Sequence, residues 1–174
     1  HVFLRNVLEH FDMKLSVSIE EAEWIIMNGV SHAVPLLGTS EMLKVLQNMG
    51  IRTGIVSNLC WSGAALSRRL QEAFPEHNFE FVMTSSEYIF RKPDVHIFDM
   101  AVRKSGLDRT DIWYCGNNKT ADIIGAHDAG LFTVFYDDRS VPSRLHERND
   151  KISVDFPYLH LSSWSDLVNA IIEI

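Results

Sequence analysis

Cysteine is scarce in this 174-residue chain, which contains two, Cys60 and Cys115. The pair does not have the spacing of a metal site, and two cysteines are too few to build a disulfide framework. Each of them lies beside an apolar run. We therefore expect reduced thiols in the core of a cytoplasmic protein.

Positive charge is scarce as well. Lysine and arginine together number 16, against 23 aspartate and glutamate residues, which gives a formal net charge of −7. The basic residues form no stripe, and the longest basic runs are the pairs Arg68-Arg69 and Arg91-Lys92. Because binding to nucleic acid requires concentrated positive charge, the composition argues against a nucleic-acid partner.

Several familiar sequence patterns are missing too. No stretch approaches the roughly 20 apolar residues of a membrane span, so we expect no membrane partner. The glycine patterns of dinucleotide-binding and P-loop proteins do not occur, and neither does the H-E-x-x-H pattern of zinc proteases. What the chain does have is a hydrophobic share of 46%, which is enough for a sizeable core.

The order of helix and strand patterns predicts an α/β fold. Two helix-like segments, Val2 to Phe11 and Ser18 to about Asn28, come first with no strand between them. After Pro35, a helix capped by Ser40 and ended by Gly50 is followed by alternating strands and helices. The strand-like runs are IRTGIVSN, FEFVMTS, DIWYC, LFTVFY and FPYLHL. Such alternation is typical of a Rossmann-like parallel sheet with helices on both faces.

Ligands of such sheets bind at the carboxyl ends of the strands. Three stretches follow predicted strands in this way: Ser57-Asn58, Ser85 to Lys92, and Gly116 to Asp122. The third of them leads into a helix predicted from Thr120 to Ala129. Residues 137–152 are polar and predict a loop with a short helix.

The first two stretches carry groups that suit an anionic ligand. Ser57 and Asn58 supply a hydroxyl and an amide, which together with turn N–H groups can hold an anionic oxygen. They would also serve as ordinary turn residues. Lys92 immediately precedes Pro93, and its ammonium can neutralise a phosphoryl group or a nucleophilic carboxylate. The alternative is a solvated lysine, and Arg91 competes for the same role with a weaker claim.

The third stretch carries oxygen donors. Asp122 follows Asn117 by five residues, and this spacing can bring two oxygen-bearing side chains towards one hard cation such as Mg²⁺. The alternative is structural: Asn117 or Asn118 caps the following helix, and Asp122 complements the helix dipole. The residues themselves leave both readings open.

Taken in order, three stretches resemble the second, third and fourth motifs of the haloacid dehalogenase superfamily, most of whose members are phosphatases: IRTGIVSN, SSEYIFRKPDVHIFDMA and IWYCGNNKTADIIGAHDAG. The resemblance implies a core domain over residues 35–174, and residues 1–34 resemble part of the family's small helical cap.

The resemblance also implies roles for particular residues. Ser57, with Asn58 beside it, would bind the phosphoryl group of the substrate, and Lys92 would steady both that group and the nucleophile. Asn117 and Asp122 would occupy the positions of the acids that bind Mg²⁺.

Two departures from the family pattern stand out. The first motif, D-x-D-x-T, is absent, although it supplies the nucleophilic and the acid–base aspartates. The fourth motif usually begins G-D in the phosphatases, but here it reads Gly116-Asn117. An amide oxygen still ligates Mg²⁺, but it lacks the charge of a carboxylate, so we expect weaker metal binding.

The missing motif has a structural consequence. The family's first strand lies in the middle of the sheet, and each buried backbone group left unpaired costs about 1–3 kcal/mol. Several such losses rival the roughly 5–15 kcal/mol that holds a domain folded. The chain also begins at His1, inside a helix-like pattern. We therefore expect the first strand and its aspartates to lie upstream of this chain.

These observations support three interpretations. The first is a Mg²⁺-dependent phosphatase that acts on a small phosphorylated metabolite through an aspartyl-phosphate, whose aspartate lies upstream. The second is a haloacid dehalogenase-type hydrolase, which needs no metal and is slightly favoured by the asparagine-rich fourth motif. The third is a catalytically inactive binding or structural protein of the same fold.

Overall fold

The computed structural model of the protein describes residues 2–30 and 34–173. In this part of the chain eight α-helices occur: α1 Val2–His10, α2 Ile19–Val30, α3 Thr39–Asn48, α4 Gly63–Ala73, α5 Val95–Ser105, α6 Gly125–Asp128, α7 Arg144–Asp150 and α8 Trp164–Ile172. Five strands accompany them: β1 Ile55–Ser57, β2 Val82–Thr84, β3 Trp113–Gly116, β4 Phe132–Tyr136 and β5 Leu159–Leu161. The alternation confirms the predicted α/β class.

The chain divides into two compact units. One contains residues 1–36 and 52–89, and the other contains residues 37–51 and 90–174. The predicted domain boundary after Val34 adjoins residues 31–33, which lie outside the described residues, and this boundary stays a prediction. None of the helices in the described part of the chain has the length and apolar character needed to cross a membrane.

The first unit contains a two-stranded parallel sheet. β1 pairs with β2 so that Ile55 lies opposite Val82 and Ser57 opposite Thr84. Helix α4 begins after Ser62, whose side-chain oxygen accepts a hydrogen bond from the Ala65 N–H, a favourable N-terminal cap. Trp24 and Met27 of α2 form a buried cluster with Ala65, and Trp61 packs against it. The two helices predicted before Val34 are thus confirmed as α1 and α2, and α2 packs its apolar face against α4.

The second unit contains a three-stranded parallel sheet in the order β3-β4-β5. Trp113 to Gly116 lie opposite Phe132 to Phe135, and Val134 to Tyr136 lie opposite Leu159 to Leu161. Its core is formed by side chains that are fully or almost fully buried, including Ile97, Phe98, Ile123, Val134 and Phe135. Both sheets are parallel, as the sequence predicts.

Some local predictions were wrong in detail. Helix α3 begins at Thr39, and its N-cap is Gly38 in the left-handed region (φ 80°), not Ser40. The helix predicted from Thr120 to Ala129 is interrupted: a π-helical segment, Lys119–Ile124, precedes α6. Its cause is local, because the Asn118 carbonyl accepts hydrogen bonds from the N–H groups of both Asp122 and Ile123.

The prediction of core thiols was also wrong, because Cys60 and Cys115 are both exposed. Cys60 lies in the loop between β1 and α4. Cys115 lies on β3, which pairs with β4 at one side, and among the described strands it has no other neighbour.

Candidate active site

Ser57 and Asn58 lie where β1 ends, as the sequence predicts, and both are half-buried. The loop that follows β1 is hydrogen-bonded to the loop that follows β2. The Ser57 carbonyl accepts a hydrogen bond from Ser85 N–H at 2.9 Å, and the Ser85 hydroxyl donates to the Leu59 carbonyl at 3.2 Å. The Ser86 hydroxyl donates to the Trp61 carbonyl at 2.6 Å. These bonds fix the backbone around Ser57 and Asn58.

The centre of the candidate site in the second unit is an ion pair between Lys92 and Asp122. The Lys92 Nζ lies 2.7 Å from Asp122 Oδ1, and the two side chains are 11% and 6% exposed. A lysine side chain with so little exposure is not a solvated surface residue, so the alternative interpretation of Lys92 as a solvated lysine is wrong. Asp122 is likewise more than a complement to a helix dipole, because it is the ionic partner of a buried cation.

Tyr114 is a third member of this cluster, and sequence reasoning missed it. Its hydroxyl accepts a hydrogen bond from Lys92 Nζ at 2.9 Å, and its ring packs edge-on against Phe98. Burial, together with the negative charge of Asp122, raises the pKa of the Tyr114 hydroxyl well above its usual range. The tyrosine therefore stays neutral and can act as both an acceptor and a donor. Tyr114 and Gly116 are two residues apart on β3 and therefore lie on the same face of the sheet. This spacing can be read from the sequence, so Tyr114 could have been predicted to lie near the site.

Gly116 allows Asp122 to approach the end of β3. A Cβ at position 116 would lie 2.4 Å from both Cβ and Cγ of Asp122. A similar approach occurs at Gly125, where a Cβ would lie 2.8 Å from the Cα of Pro93, the residue that follows Lys92. The two glycines thus let the segments that carry Asp122 and Lys92 pack directly against their neighbours.

The turn between β3 and the π-helical segment is closed by Asn118 and Asp122. The Asn118 side-chain oxygen accepts a hydrogen bond from Ala121 N–H at 2.9 Å, which makes Asn118 the N-cap. The Asn118 N–H in turn donates to Asp122 Oδ2 at 2.9 Å. The capping alternative is therefore correct for Asn118, and it coexists with the ionic role of Asp122.

Asn117 is exposed and follows Gly116 directly. Its backbone carbonyl accepts a hydrogen bond at 2.9 Å from the side chain of Asn149, and Asn149 also accepts one from Lys119 N–H at 3.0 Å. Asn149 is buried on α7, in the segment predicted to be a loop with a short helix. Only burial distinguishes Asn149 from the other polar residues of that segment, and burial of this kind has no signal in the sequence.

As metal ligands, Asn117 and Asp122 provide one amide and one carboxylate. Oxygen donors of these two kinds suit Mg²⁺, which prefers oxygen ligands in an octahedral arrangement. Both oxygens of Asp122 already accept hydrogen bonds, from Lys92 and from Asn118, but each retains a lone pair. Within the described ranges there is no group of three or more His, Cys, Asp or Glu side chains that could hold a metal ion. The donors present therefore fit Mg²⁺ in kind and need further oxygen ligands to complete a site.

Comparison with known families decides the assignment of the fold. A family model described as "Haloacid dehalogenase-like hydrolase" matches residues 3–136. The chain belongs to this family of hydrolases. The resemblance inferred from its second, third and fourth motifs is thereby confirmed.

The curated relatives of the chain include phosphatases. A glyceraldehyde 3-phosphate phosphatase of Methanothermobacter thermautotrophicus is 32% identical over 102 residues, which cover 58% of this chain and 43% of that protein. The chain thus spans less than half the length of this curated relative.

Two solved structures share the fold. One is a phosphatase of the family from Thermococcus onnurineus, with a TM-score of 0.64 and 17% identity; the match covers 94% of this chain and 68% of that chain. The other is a 2-haloacid dehalogenase from Pseudomonas syringae pv. Tomato DC3000, with a TM-score of 0.65 and 18% identity, covering 86% and 58% of the two chains.

Proposed function

We propose that this protein is a Mg²⁺-dependent phosphatase that hydrolyses the phosphate monoester of a small metabolite through an aspartyl-phosphate. The observation that carries the proposal is the buried Lys92–Asp122 ion pair, with its 2.7 Å separation, beside the turn that bears Asn117. It is supported by membership of a hydrolase family and by the similarity to a protein described as a glyceraldehyde 3-phosphate phosphatase.

In this proposal the residues of the chain bind and orient charge. The Lys92 ammonium neutralises the nucleophilic carboxylate and the incoming phosphoryl oxygens, while Asp122 and Tyr114 hold the ammonium in place. The Ser57 hydroxyl and the Asn58 amide bind phosphoryl oxygens, as groups at a strand end with a fixed backbone can do.

Asn117 and Asp122 are the residues of this chain that would hold Mg²⁺. When bound, the ion would neutralise charge on the phosphoryl oxygens. Asn117 contributes no formal charge, so such a site would be weaker than one with two carboxylates, and it would need further oxygen ligands.

The nucleophile belongs, in this proposal, to a strand outside this chain. β3 has a single strand partner among the described residues, β4. A further strand beside β3 would pair the backbone groups of its open edge and would carry the D-x-D-x-T motif.

A second candidate function is a haloacid dehalogenase-type hydrolase. It is favoured by one observation, the neutral Asn117 where the phosphatases usually have an aspartate. In this case the Lys92–Asp122 pair would steady the nucleophile without a metal, and turnover would be insensitive to a chelator.

The experiment compares these functions in protein expressed from its complete gene. Release of phosphate from an aryl phosphate and from glyceraldehyde 3-phosphate is measured with Mg²⁺ and with EDTA, and release of halide from 2-chloropropionate is measured in parallel. We expect phosphate release that EDTA abolishes. Chelator-insensitive halide release would establish the second function, and the absence of all turnover would leave a non-catalytic protein of the family.

A pair of lysine variants tests the site itself. Lys92→Ala should lower kcat/KM for the phosphate ester by roughly 10²–10³-fold, because it removes a cation aimed at developing charge. Lys104→Ala, an exposed lysine at the end of α5, should leave it unchanged. Equal activities in the two variants would overturn the role given to Lys92.

A further inference from the structure

We propose that Asn149 is a positioning residue that holds the backbone on both sides of Asn118 and so sets the direction in which Asn117 faces a bound Mg²⁺. This inference rests on the proposed function and adds to it a residue 32 positions away from Asn117 in sequence.

The contacts of Asn149 are unusual for a polar residue of a short surface helix. Its side chain is 2% exposed, on α7, a helix whose sequence RLHERND is almost entirely polar. Its amide N–H donates to the Asn117 carbonyl at 2.9 Å, and its amide oxygen accepts from Lys119 N–H at 3.0 Å. One side chain thus satisfies a backbone acceptor and a backbone donor of the same turn.

These two bonds add to those that the turn makes with its own residues. From the inside, the turn is held by Asp122 Oδ2, which accepts from Asn118 N–H. On the other side, Asn149 forms hydrogen bonds with the backbone of Asn117 and Lys119. The backbone of the turn is therefore hydrogen-bonded on both sides. The Lys119 ammonium adds a third attachment, since it lies 3.3 Å from the Ile152 carbonyl, just beyond α7.

Helix α7 is itself attached to the sheet. Arg139 lies 2.7 Å from Asp137, the buried residue that follows β4, and 2.6 Å from Asp150, the neighbour of Asn149. The Asn149 side chain therefore reaches the turn from a helix whose last residues are tied to the end of β4. Replacing residues that orient the ligands of a metal commonly lowers the protein's affinity for the metal.

The test measures Mg²⁺ binding directly, in protein expressed from its complete gene. Isothermal titration calorimetry gives the Mg²⁺ dissociation constant, and the Mg²⁺-induced rise in Tm gives an independent readout. Asn149→Ala removes both hydrogen bonds, and Asn149→Leu removes them while keeping a similar volume. The matched control is Asn28→Ala in α2, which deletes a half-buried amide that accepts a hydrogen bond from Arg69 at 2.9 Å.

We expect both Asn149 variants to weaken Mg²⁺ binding by about 10- to 100-fold and to reduce the rise in Tm. The Asn28→Ala control should bind Mg²⁺ as the wild type does, even if its Tm in the absence of metal is lower. In turnover assays, added Mg²⁺ should restore most of the kcat of the Asn149 variants, since the reacting groups remain in place.

Two results would overturn the inference alone. One is a Mg²⁺ dissociation constant that is unchanged in both Asn149 variants although their Tm falls, which would make Asn149 a purely structural residue. The other is a failure of both variants to fold. A residue that only positions one turn should not be required for the sheet to form. Absence of Mg²⁺ binding by the wild type is a different outcome, because it would overturn the metal dependence in the proposed function together with this inference.

Discussion

The Lys92–Asp122 pair makes a quantitative prediction about stability. Two unit charges 2.7 Å apart attract each other by about 6 kcal/mol at an effective dielectric constant near 20, and the cost of removing both from water offsets much of this. Replacing one partner alone leaves a buried charge without its counterion, which costs about 3–5 kcal/mol. We therefore expect Lys92→Met and Asp122→Asn each to lower the free energy of unfolding by an amount in that range.

The double variant separates the interaction from the effects of the two single changes. Once both charges are gone, no uncompensated ion remains, so the double variant should be less destabilised than the two single variants added together. A coupling free energy of about 2–3 kcal/mol is expected for groups in direct contact. The assay is urea unfolding followed by tryptophan fluorescence, with the four proteins measured at one pH and one ionic strength.

A second cycle provides the control. Arg109 and Asp99 lie 2.8 Å apart, almost the same distance, but their side chains are 43% and 33% exposed. Exposed pairs contribute about 0.2–1 kcal/mol, so the coupling in this cycle should be several-fold smaller. If the two cycles gave equal couplings, or if the Lys92 and Asp122 changes were additive within about 0.5 kcal/mol, the reasoning from burial would be refuted.

Two further predictions follow from local contacts. Gly116→Ala would place a methyl group 2.4 Å from the Asp122 side chain, so we expect a loss of about 1–3 kcal/mol in unfolding free energy from overpacking; an unchanged urea midpoint would contradict this. Burial lowers the pKa of His77, whose Nε2 lies 2.8 Å from the Thr53 hydroxyl. The unfolded chain then binds a proton more readily than the folded one, so stability should fall as the pH drops through about 6.5 towards the lower folded-state pKa. His77→Gln should show a smaller fall in urea midpoint between pH 7.5 and 5.5, and an equal fall in both proteins would exclude His77 as the cause.

Sequence reasoning found the parts of the fold that depend on local patterns. The two helices within residues 2–30 were found from helical sequence patterns, and the structure shows them as α1 and α2. Strand positions were also found, but β1 and β2 are shorter than the predicted runs IRTGIVSN and FEFVMTS.

The motif order predicted some of the residues that meet in the structure, whereas residues brought in by long-range contacts were missed. Lys92 and Asp122 were predicted as site residues, and the structure brings their charged groups together across 30 positions of sequence. Tyr114 was missed although it lies on the same strand face as Gly116, because an aromatic residue in a strand is first interpreted as part of the hydrophobic core. Asn149 had no local signal, because its role depends on a helix folding back onto a turn.

The asparagine at position 117 can be understood from how the turn is held. The bonds that shape the turn are made by backbone groups of residues 117–119 and by the side chains of Asn118, Asp122 and Asn149. Asn117 contributes its carbonyl, which any residue would provide, and its side chain is exposed. The shape of the turn and the charge that it offers to a cation are therefore controlled by different groups. Under the proposed function, an asparagine in place of an aspartate would lower the charge offered to Mg²⁺ and weaken its binding, while the shape of the turn would stay the same.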